Sequence, residues 1–392
     1  MDTVNRIQAR GREEDRMEMD VTKALRREEK ITLSLRALYE TYGFRKYRMG
    51  RFEEYELYTE NKNFLKNPNI ITFHDLDGTV LALKPDVTLS IAKNTRATAQ
   101  SSEKVYYLEN VYWLEKQSGG YQETTQLGLE YLGSLDAAAS FEVLCLAQKT
   151  LAAISGSHRM QLSHIGFWIA LLEGLGLGES LGQEILNCLH GKRLHELKEL
   201  MEKGHVAPAA AEWVLRAGNL CGPFRETLAE ARKIAISNGM TAALDELETV
   251  YGLLENAGCG DALILDFSLV NDSDYYDGLI FQGFVEGVPR AVLSGGYYGK
   301  LLRKFGRDLD AIGFAVYVNE LDLLFRNQHS TDVDALILYA SGADLNALAL
   351  AADGLRESGL KVRVERNVPE NVRFGKMYRF TGEGLKEAGK EC

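Results

Sequence analysis

LKPDVT at residues 83–88 follows a short apolar run that predicts a β-strand, and it includes the polar residues Asp86 and Thr88. QLGLE at residues 126–130 lies within a longer predicted strand, and DYY at residues 274–276 lies between two others. Side chains four positions apart on a strand share a face, so the Gln and Glu of the second segment point the same way. Taken singly, each of these residues is better explained as an ordinary exposed or packed position than as part of a binding site.

The elements around these segments predict a sheet with helices on it. An Asp-Gly pair at residues 77–78 indicates a hairpin within residues 70–83. Aromatic-rich residues 105–114 and residues 123–133 indicate a long antiparallel strand pair joined by a loop with two glycines. Apolar residues at helical spacing, or runs rich in Ala and Leu, predict helices at residues 22–42 and 137–155. Residues 290–294 predict a strand, and the glycines that follow it at residues 295–296 predict a turn.

The pattern along the whole chain predicts an α+β protein with a main domain at residues 21–330. Residues 1–20 are charged and weakly patterned, which predicts a flexible N-terminal arm. Residues 168–258 carry helical patterns broken by glycines and predict a helical insertion. Residues 331–392 show a strand–helix–strand pattern, which predicts a small C-terminal α/β unit with parallel strands. The polar tail from residue 381 predicts a frayed end.

The composition disfavours several classes of protein. The 392 residues include 45 Lys and Arg against 56 Asp and Glu, and a net charge of −11 argues against nonspecific binding of nucleic acid. The N-terminus has no apolar run and the chain no long apolar stretch, which predicts a cytoplasmic protein without signal peptide or membrane span. The five cysteines are widely spaced and the seven histidines scattered, which indicates reduced thiols, no metal site and no cofactor.

The three opening segments, in their order and at their distances along the chain, resemble the amino-acid pocket of histidyl-tRNA synthetases. The resemblance covers about residues 25–330 and implies a class II aminoacyl-tRNA synthetase-like fold, a mainly antiparallel sheet flanked by helices. Residues 331–392 resemble a truncated anticodon-binding domain. Their acidic and basic residues are about equal in number, so they present no obvious face for RNA.

The same resemblance implies a role for each polar residue of the pocket. An ammonium group needs oxygen acceptors, which Asp86, Thr88 and Gln126 carry. The two nitrogens of an imidazole need an acceptor and a hydroxyl, which suits Glu130 and Tyr275. The remaining tyrosine of the pair would form a wall against the ring. The predicted histidine-binding residues are therefore Asp86, Thr88, Gln126, Glu130, Tyr275 and Tyr276.

Three arginines that the synthetase pocket uses for ATP have no counterpart here. Trp113 stands at the first position, or Tyr112 if the preceding loop has its usual length, and no arginine occurs between Arg96 and Arg159. Asn271 stands at the second position and Glu320 at the third. Positive groups must stabilise the phosphates during adenylate formation, and a carboxylate repels them. The pattern therefore predicts a pocket that holds histidine without activating it.

A histidine pocket without these arginines resembles the ATP phosphoribosyltransferase regulatory subunits of histidine biosynthesis. The resemblance implies a non-catalytic chain that forms a dimer, associates with a short-form catalytic subunit and binds L-histidine as the feedback signal. Two alternatives remain. A divergent histidyl-tRNA synthetase would need ATP and tRNA contacts, and a stand-alone histidine-binding sensor would have another partner.

Overall fold

The structure is a computed structural model that describes residues 25–65, 69–114, 119–270, 275–325, 331–382 and 384–388. The predicted arm at residues 1–20 and the predicted ATP-site position Asn271 lie outside the described residues. The chain divides into a larger unit, Arg27–Leu324, and a smaller unit that includes Phe325–Cys392.

The larger unit is built on β-sheets. Its described strands are β1 Arg45–Lys46, β2 Phe52–Glu54, β3 Thr72–His74, β4 Val80–Leu83, β5 Glu103–Leu114, β6 Tyr121–Gly133, β7 His158–His164, β8 Cys221–Pro223, β9 Leu263–Asp266, β10 Leu279–Val285, β11 Leu293–Tyr297 and β12 Asp310–Tyr317. Nine of them form one sheet in the order β1-β5-β6-β12-β11-β10-β7-β9-β8, and β2, β4 and β3 form a small second sheet. Within the described residues, β1 with β5 and β7 with β9 pair in parallel and the other neighbours are antiparallel. The predicted mainly antiparallel sheet is confirmed.

Helices flank this sheet. The described helices of the larger unit are α1 Arg27–Thr41, α2 Tyr55–Glu60, α3 Thr88–Asn94, α4 Ala137–Ile154, α5 Ile165–Gly174, α6 Glu179–His190, α7 Leu194–Lys203, α8 Pro208–Gly218, α9 Phe224–Lys233, α10 Asn238–Asn256, α11 Gly299–Lys304 and α12 Val318–Phe325. A short 3-10 helix follows α2. Six of the helices, α5 to α10, lie between β7 and β9 in the sequence, with the short strand β8 between α8 and α9.

Helix α4 is a core helix that packs on the large sheet. It begins at Asp136, whose side chain accepts a hydrogen bond from the Ala139 amide at 3.0 Å and so caps the first turn. Its apolar side chains, among them Val143, Leu146 and Leu151, are buried. Within the described residues, α4 alone combines the length and apolar composition needed to cross a membrane, and 61% of it is buried inside the structure.

Glycines let the central strands and side chains approach one another closely. A Cβ atom on Gly128 of β6 would lie 2.4 Å from the ring of Tyr107 on β5. A Cβ atom on Gly295 would lie 2.3 Å from the backbone oxygen of Gly313 on β12. The sequence predicted a strand at residues 290–294 followed by a turn, and this boundary was wrong. Strand β11 continues to Tyr297 because its two glycines pack within the sheet.

The smaller unit has its own four-stranded sheet. Its described elements are β13 Val333–Tyr339, α13 Leu345–Glu357, β14 Val362–Glu365, β15 Phe374–Thr381 and β16 Gly384–Ala388, with the strand order β14-β13-β15-β16. Strands β13 and β14 are parallel, as predicted. The predicted frayed tail is wrong for residues 384–388, because they pair with β15 and Leu385 packs against the apolar cluster around Ile337.

Candidate functional site

A pocket lies where β5, β6, β12 and β11 run side by side in the large sheet. All six residues that the sequence predicted for histidine binding line it: Asp86, Thr88, Gln126, Glu130, Tyr275 and Tyr276. The other lining residues are Tyr107, Ser294, Gly295, Tyr298, Gly313, Phe314 and Ala315. The space among these residues amounts to about 390 Å³, part of which is open to solvent.

The carboxylate of Glu130 lies at the centre of this pocket. Its side chain is 3% exposed, and each oxygen accepts a hydrogen bond. The Thr88 hydroxyl donates to Oε1 at 2.9 Å, and the Tyr298 hydroxyl donates to Oε2 at 2.6 Å. Gly313 lies opposite Glu130 in the register of β6 and β12, and a Cβ atom there would come within 1.7 Å of Oε2. The carboxylate therefore depends on a glycine for its space and on two hydroxyls for its orientation.

Asp86 shapes the start of helix α3 and so places Thr88. Its Oδ1 atom accepts a hydrogen bond from the Leu89 amide at 2.8 Å, within the first turn of α3. A carboxylate at this position satisfies one of the free amides at a helix N-terminus and is stabilised by the helix dipole. Thr88 is consequently fixed in the first turn, where its hydroxyl reaches the carboxylate on β6.

A buried ion pair anchors the same segment to strand β5. The Lys84 side chain is 1% exposed and its ammonium group contacts the carboxylate of Glu109, which is 18% exposed. Glu109 lies opposite Gln126 in the register of β5 and β6. The ion pair therefore connects the end of β4 with the strand pair that carries Gln126 and Glu130.

Aromatic rings close the remaining side of the pocket. The ring centroids of Tyr275 and Tyr276 are 4.6 Å apart, and those of Tyr275 and Tyr298 are 5.6 Å apart. A Cβ atom on Gly296 would lie 2.5 Å from the Tyr276 ring, so this ring needs a glycine on β11. Tyr275 and Tyr276 thus form one packed unit with the glycines of β11.

Three tyrosine hydroxyls of the pocket stay protonated at neutral pH. Burial, reinforced by the negative charge of Asp86, raises the pKa of Tyr275 well above its ordinary value. Burial together with the charge of Glu130 does the same to the pKa of Tyr107 and to that of Tyr298. At neutral pH these groups are therefore neutral hydrogen-bond donors. Among the described lining residues the ordinarily charged groups are two carboxylates, which suits a ligand with positive or hydrogen-donating groups.

Tyr107 and Tyr298 were not predicted from the sequence. A signal for Tyr298 was present, because it follows the glycines of β11 and directly precedes helix α11. Tyr107 lies in the pocket because it pairs with Gly128 across β5 and β6. This pairing is known only from the structure, so the sequence alone did not indicate Tyr107.

The three positions predicted to have lost ATP contacts differ in what surrounds them. Trp113 is half-buried near the end of β5, opposite Gln122. Glu320 on α12 lies 3.6 Å from the guanidinium of Arg290, in a pair that is 25% and 78% exposed. Asn271 lies outside the described residues.

A second cavity lies at the end of the β5–β6 pair. It is lined by Ile71, Leu83, Tyr112, Tyr121, Gln122 and Glu123. No lysine or arginine occurs among these described lining residues, and the Tyr112 hydroxyl donates to the Glu123 carboxylate at 3.0 Å. A polyphosphate would find apolar side chains and a carboxylate in this cavity instead of cations.

In the part of the chain that the structure describes, no three His, Cys, Asp or Glu side chains cluster in a way that could hold a metal ion.

Comparison with known proteins places the chain in a family. The family model for histidyl-tRNA synthetase matches residues 18–321, more than three quarters of the 392 residues. The chain belongs to the histidyl-tRNA synthetase family. Members of this family share the sheet and helices described above, so the predicted class II synthetase-like fold is confirmed.

Relatives within this family carry a more specific name. The ATP phosphoribosyltransferase regulatory subunit of Clostridium acetobutylicum is 26% identical over 356 residues, which cover 88% of this chain and 86% of that protein. The crystal structure of an ATP phosphoribosyltransferase regulatory subunit/histidyl-tRNA synthetase from Bacillus halodurans C is 25% identical, with a TM-score of 0.70 over 86% of this chain and 88% of that one. A chain of the ATP phosphoribosyl transferase (HisG:HisZ) complex from Thermotoga maritima shares the fold at 19% identity, with a TM-score of 0.59 over 74% and 96%. The predicted resemblance to these regulatory subunits is confirmed.

Proposed function

We propose that this chain is a non-catalytic regulatory subunit of ATP phosphoribosyltransferase and that its pocket binds L-histidine. A short-form catalytic subunit would need it for activity, and bound histidine would reduce that activity in the first step of histidine biosynthesis. The observation that carries the proposal is the pocket around Glu130, where all six predicted residues meet.

The chemistry of the lining supports histidine as the ligand. The ammonium group is matched by the oxygens of Asp86, Thr88 and Gln126. The imidazole ring is matched by a fixed carboxylate, Glu130, and by the neutral hydroxyl of Tyr275. A site built from buried groups that hydrogen-bond both ring nitrogens rejects ligands that lack them, because those groups would then stay unpaired.

The absence of synthetase chemistry is supported by the positions that would face ATP. Trp113 and Asn271 bring no positive charge, and Glu320 brings a negative one. The second cavity offers no cation among its described lining residues. Without positive groups to stabilise charge on the phosphates, adenylate formation lacks its main source of rate enhancement.

The partner follows from the role of the named relatives. A regulatory subunit acts on a catalytic chain, so we expect a complex with the short-form ATP phosphoribosyltransferase subunit and a dimer of this chain within it. Feedback is then a coupling free energy between the histidine pocket and the catalytic site, typically about 1–3 kcal/mol, and it is reciprocal for binding.

A second candidate function is a divergent histidyl-tRNA synthetase. The match of the family model to residues 18–321 favours it. Such an enzyme would exchange pyrophosphate with ATP when histidine is present. The proposed regulatory subunit would show no such exchange.

Reconstitution of the phosphoribosyltransferase reaction tests the proposal. Formation of phosphoribosyl-ATP by a short-form catalytic subunit is measured with and without this chain, over a range of histidine concentrations. We expect activity to appear on addition of the chain and to fall with histidine. Glu130→Gln should keep the activation and lose the inhibition, whereas Glu123→Gln, an exposed control on the same strand, should keep both. Absence of activation, or full inhibition of the Glu130→Gln complex, would contradict the proposal.

A further inference from the structure

Two cysteines far apart in the sequence touch in the larger unit. The Sγ atoms of Cys145 and Cys259 are 3.4 Å apart, although the residues are separated by 114 positions. Both are free thiols in this structure. A disulfide has an S–S bond of about 2.0 Å, so the sulfurs would need to approach by about a further 1.4 Å.

Rotation of the Cys259 side chain can supply this movement. Cys259 follows helix α10 in the turn that leads to β9, and glycines flank it on both sides. The turn itself is held by backbone hydrogen bonds, from the Gly258 amide to the Glu255 carbonyl at 3.0 Å and from the Cys259 amide to the Leu254 carbonyl at 2.8 Å. Cys145 is held within the buried helix α4, so the side chain of Cys259 rather than either backbone would adjust.

The two thiols differ in burial, so they would take different parts in a reaction with a reagent in solution. Cys145 is buried, and burial raises its pKa to about 11, with a further contribution from its contact with Cys259. Cys259 is partly exposed and is therefore the thiol that a reagent in solution reaches first. The ammonium group of Lys149, which donates to the Tyr42 hydroxyl at 2.5 Å, partly opposes the rise in the pKa of Cys145.

We propose that Cys145 and Cys259 form a reversible intramolecular disulfide when the chain meets a low-molecular-weight disulfide. The thiolate of Cys259 attacks one sulfur of the small disulfide, forms a mixed disulfide and releases one small thiolate. Cys145 then gives up its proton and attacks the Cys259 sulfur, which releases the second small thiolate. Two protein thiols and one small disulfide thus become one protein disulfide and two small thiols, with no further oxidant.

The bond would tie the end of the helical segment to a core helix. Helix α10 already packs against α4, so a covalent link at its end joins elements that are neighbours in the native fold. A link between residues 114 positions apart also lowers the conformational entropy of the unfolded chain. The oxidised chain should therefore unfold at a higher temperature than the reduced chain.

Oxidation of the intact chain by glutathione disulfide tests the proposal. After alkylation of the remaining thiols and digestion without reduction, mass spectrometry should find a peptide pair linked through Cys145 and Cys259, and dithiothreitol should remove it. Cys145→Ala should trap a glutathione adduct on Cys259, and Cys259→Ser should abolish the link. Cys221→Ser, which removes an exposed thiol elsewhere, should leave the link intact.

Thermal unfolding of the same samples provides the second measurement. The midpoint of the oxidised native chain should rise and should return after reduction, and the Cys259→Ser variant should show no such shift. The proposal is overturned if Cys145 and Cys259 are both alkylated after a treatment that modifies Cys221. It is equally overturned if the link forms only in urea.

Discussion

Replacing Tyr298 by phenylalanine removes one hydroxyl from the pocket and leaves the ring in place. That hydroxyl donates to Glu130 Oε2 at 2.6 Å, and both side chains are buried. A hydrogen bond to a charged group contributes about 1.5–3 kcal/mol, and its loss leaves a buried carboxylate oxygen short of a donor. We expect the free energy of unfolding of the larger unit to fall by about 1.5–3 kcal/mol.

The same replacement should weaken histidine binding. The carboxylate would then lose one of the donors that orient it toward the ligand, so part of the lost free energy should appear as weaker binding. A loss of about 1.4 kcal/mol corresponds to a tenfold increase in Kd, and we expect an increase of about tenfold or more for Tyr298→Phe.

Tryptophan fluorescence is suited to the stability measurement. The three tryptophans, Trp113, Trp168 and Trp213, all lie in Arg27–Leu324, so denaturant unfolding followed by fluorescence reports the larger unit alone. Tyr58→Phe is the matched control, because the buried Tyr58 hydroxyl has no hydrogen-bond partner among the described residues. Its removal should be nearly neutral. If Tyr298→Phe changes stability and histidine affinity no more than Tyr58→Phe does, the reasoning is refuted.

Three further changes test other parts of the site. Gly313→Ala should lower the free energy of unfolding by about 1–3 kcal/mol through overpacking and should abolish histidine binding in calorimetry, because the new Cβ atom displaces the Glu130 carboxylate. Lys84→Met should cost up to about 3 kcal/mol in denaturant unfolding, because the partly buried Glu109 then loses the cation that pairs with it. Loss of the exposed ion pair between Arg193 and Glu196 should cost less than about 1 kcal/mol. Above about pH 10 the tyrosines of the unfolded chain ionise, whereas the raised pKa values keep the buried tyrosines of the folded chain protonated. The free energy of unfolding should therefore keep its full value below about pH 10 and fall as the pH rises further. Absorbance at alkaline pH should show a group of tyrosines that ionise only on unfolding, among them the pocket residues Tyr107, Tyr275 and Tyr298.

The predicted pocket residues come together because strand periodicity is strict. Gln126 and Glu130 are four positions apart on β6, so their shared face follows from the pleat alone. Asp86 and Thr88 follow a strand end and begin a helix, a position where carboxylates and hydroxyls have a defined local role. These features depend on local geometry and were therefore accessible from the sequence.

Pairing across the sheet was not accessible in the same way. The contact of Gly313 with Glu130 depends on the register of β12 against β6, which no local pattern fixes. The boundary of β11 was missed because glycines in a strand resemble glycines in a turn, and only the packing of Gly296 against Tyr276 distinguishes them. Strand β16 was missed because its polar residues at 384–388 resemble a frayed end until β15 is present to pair with them.

Calorimetric titration of the purified chain with histidine, in the presence and absence of ATP and magnesium, tests the central claim most directly. The account predicts that histidine binds, that ATP alone gives no heat of binding, and that ATP leaves the affinity for histidine unchanged. Binding of ATP that strengthens with histidine would contradict the account and would indicate a synthetase. Absence of histidine binding to the wild-type chain would contradict it as well, because the pocket around Glu130 would then have lost its proposed ligand.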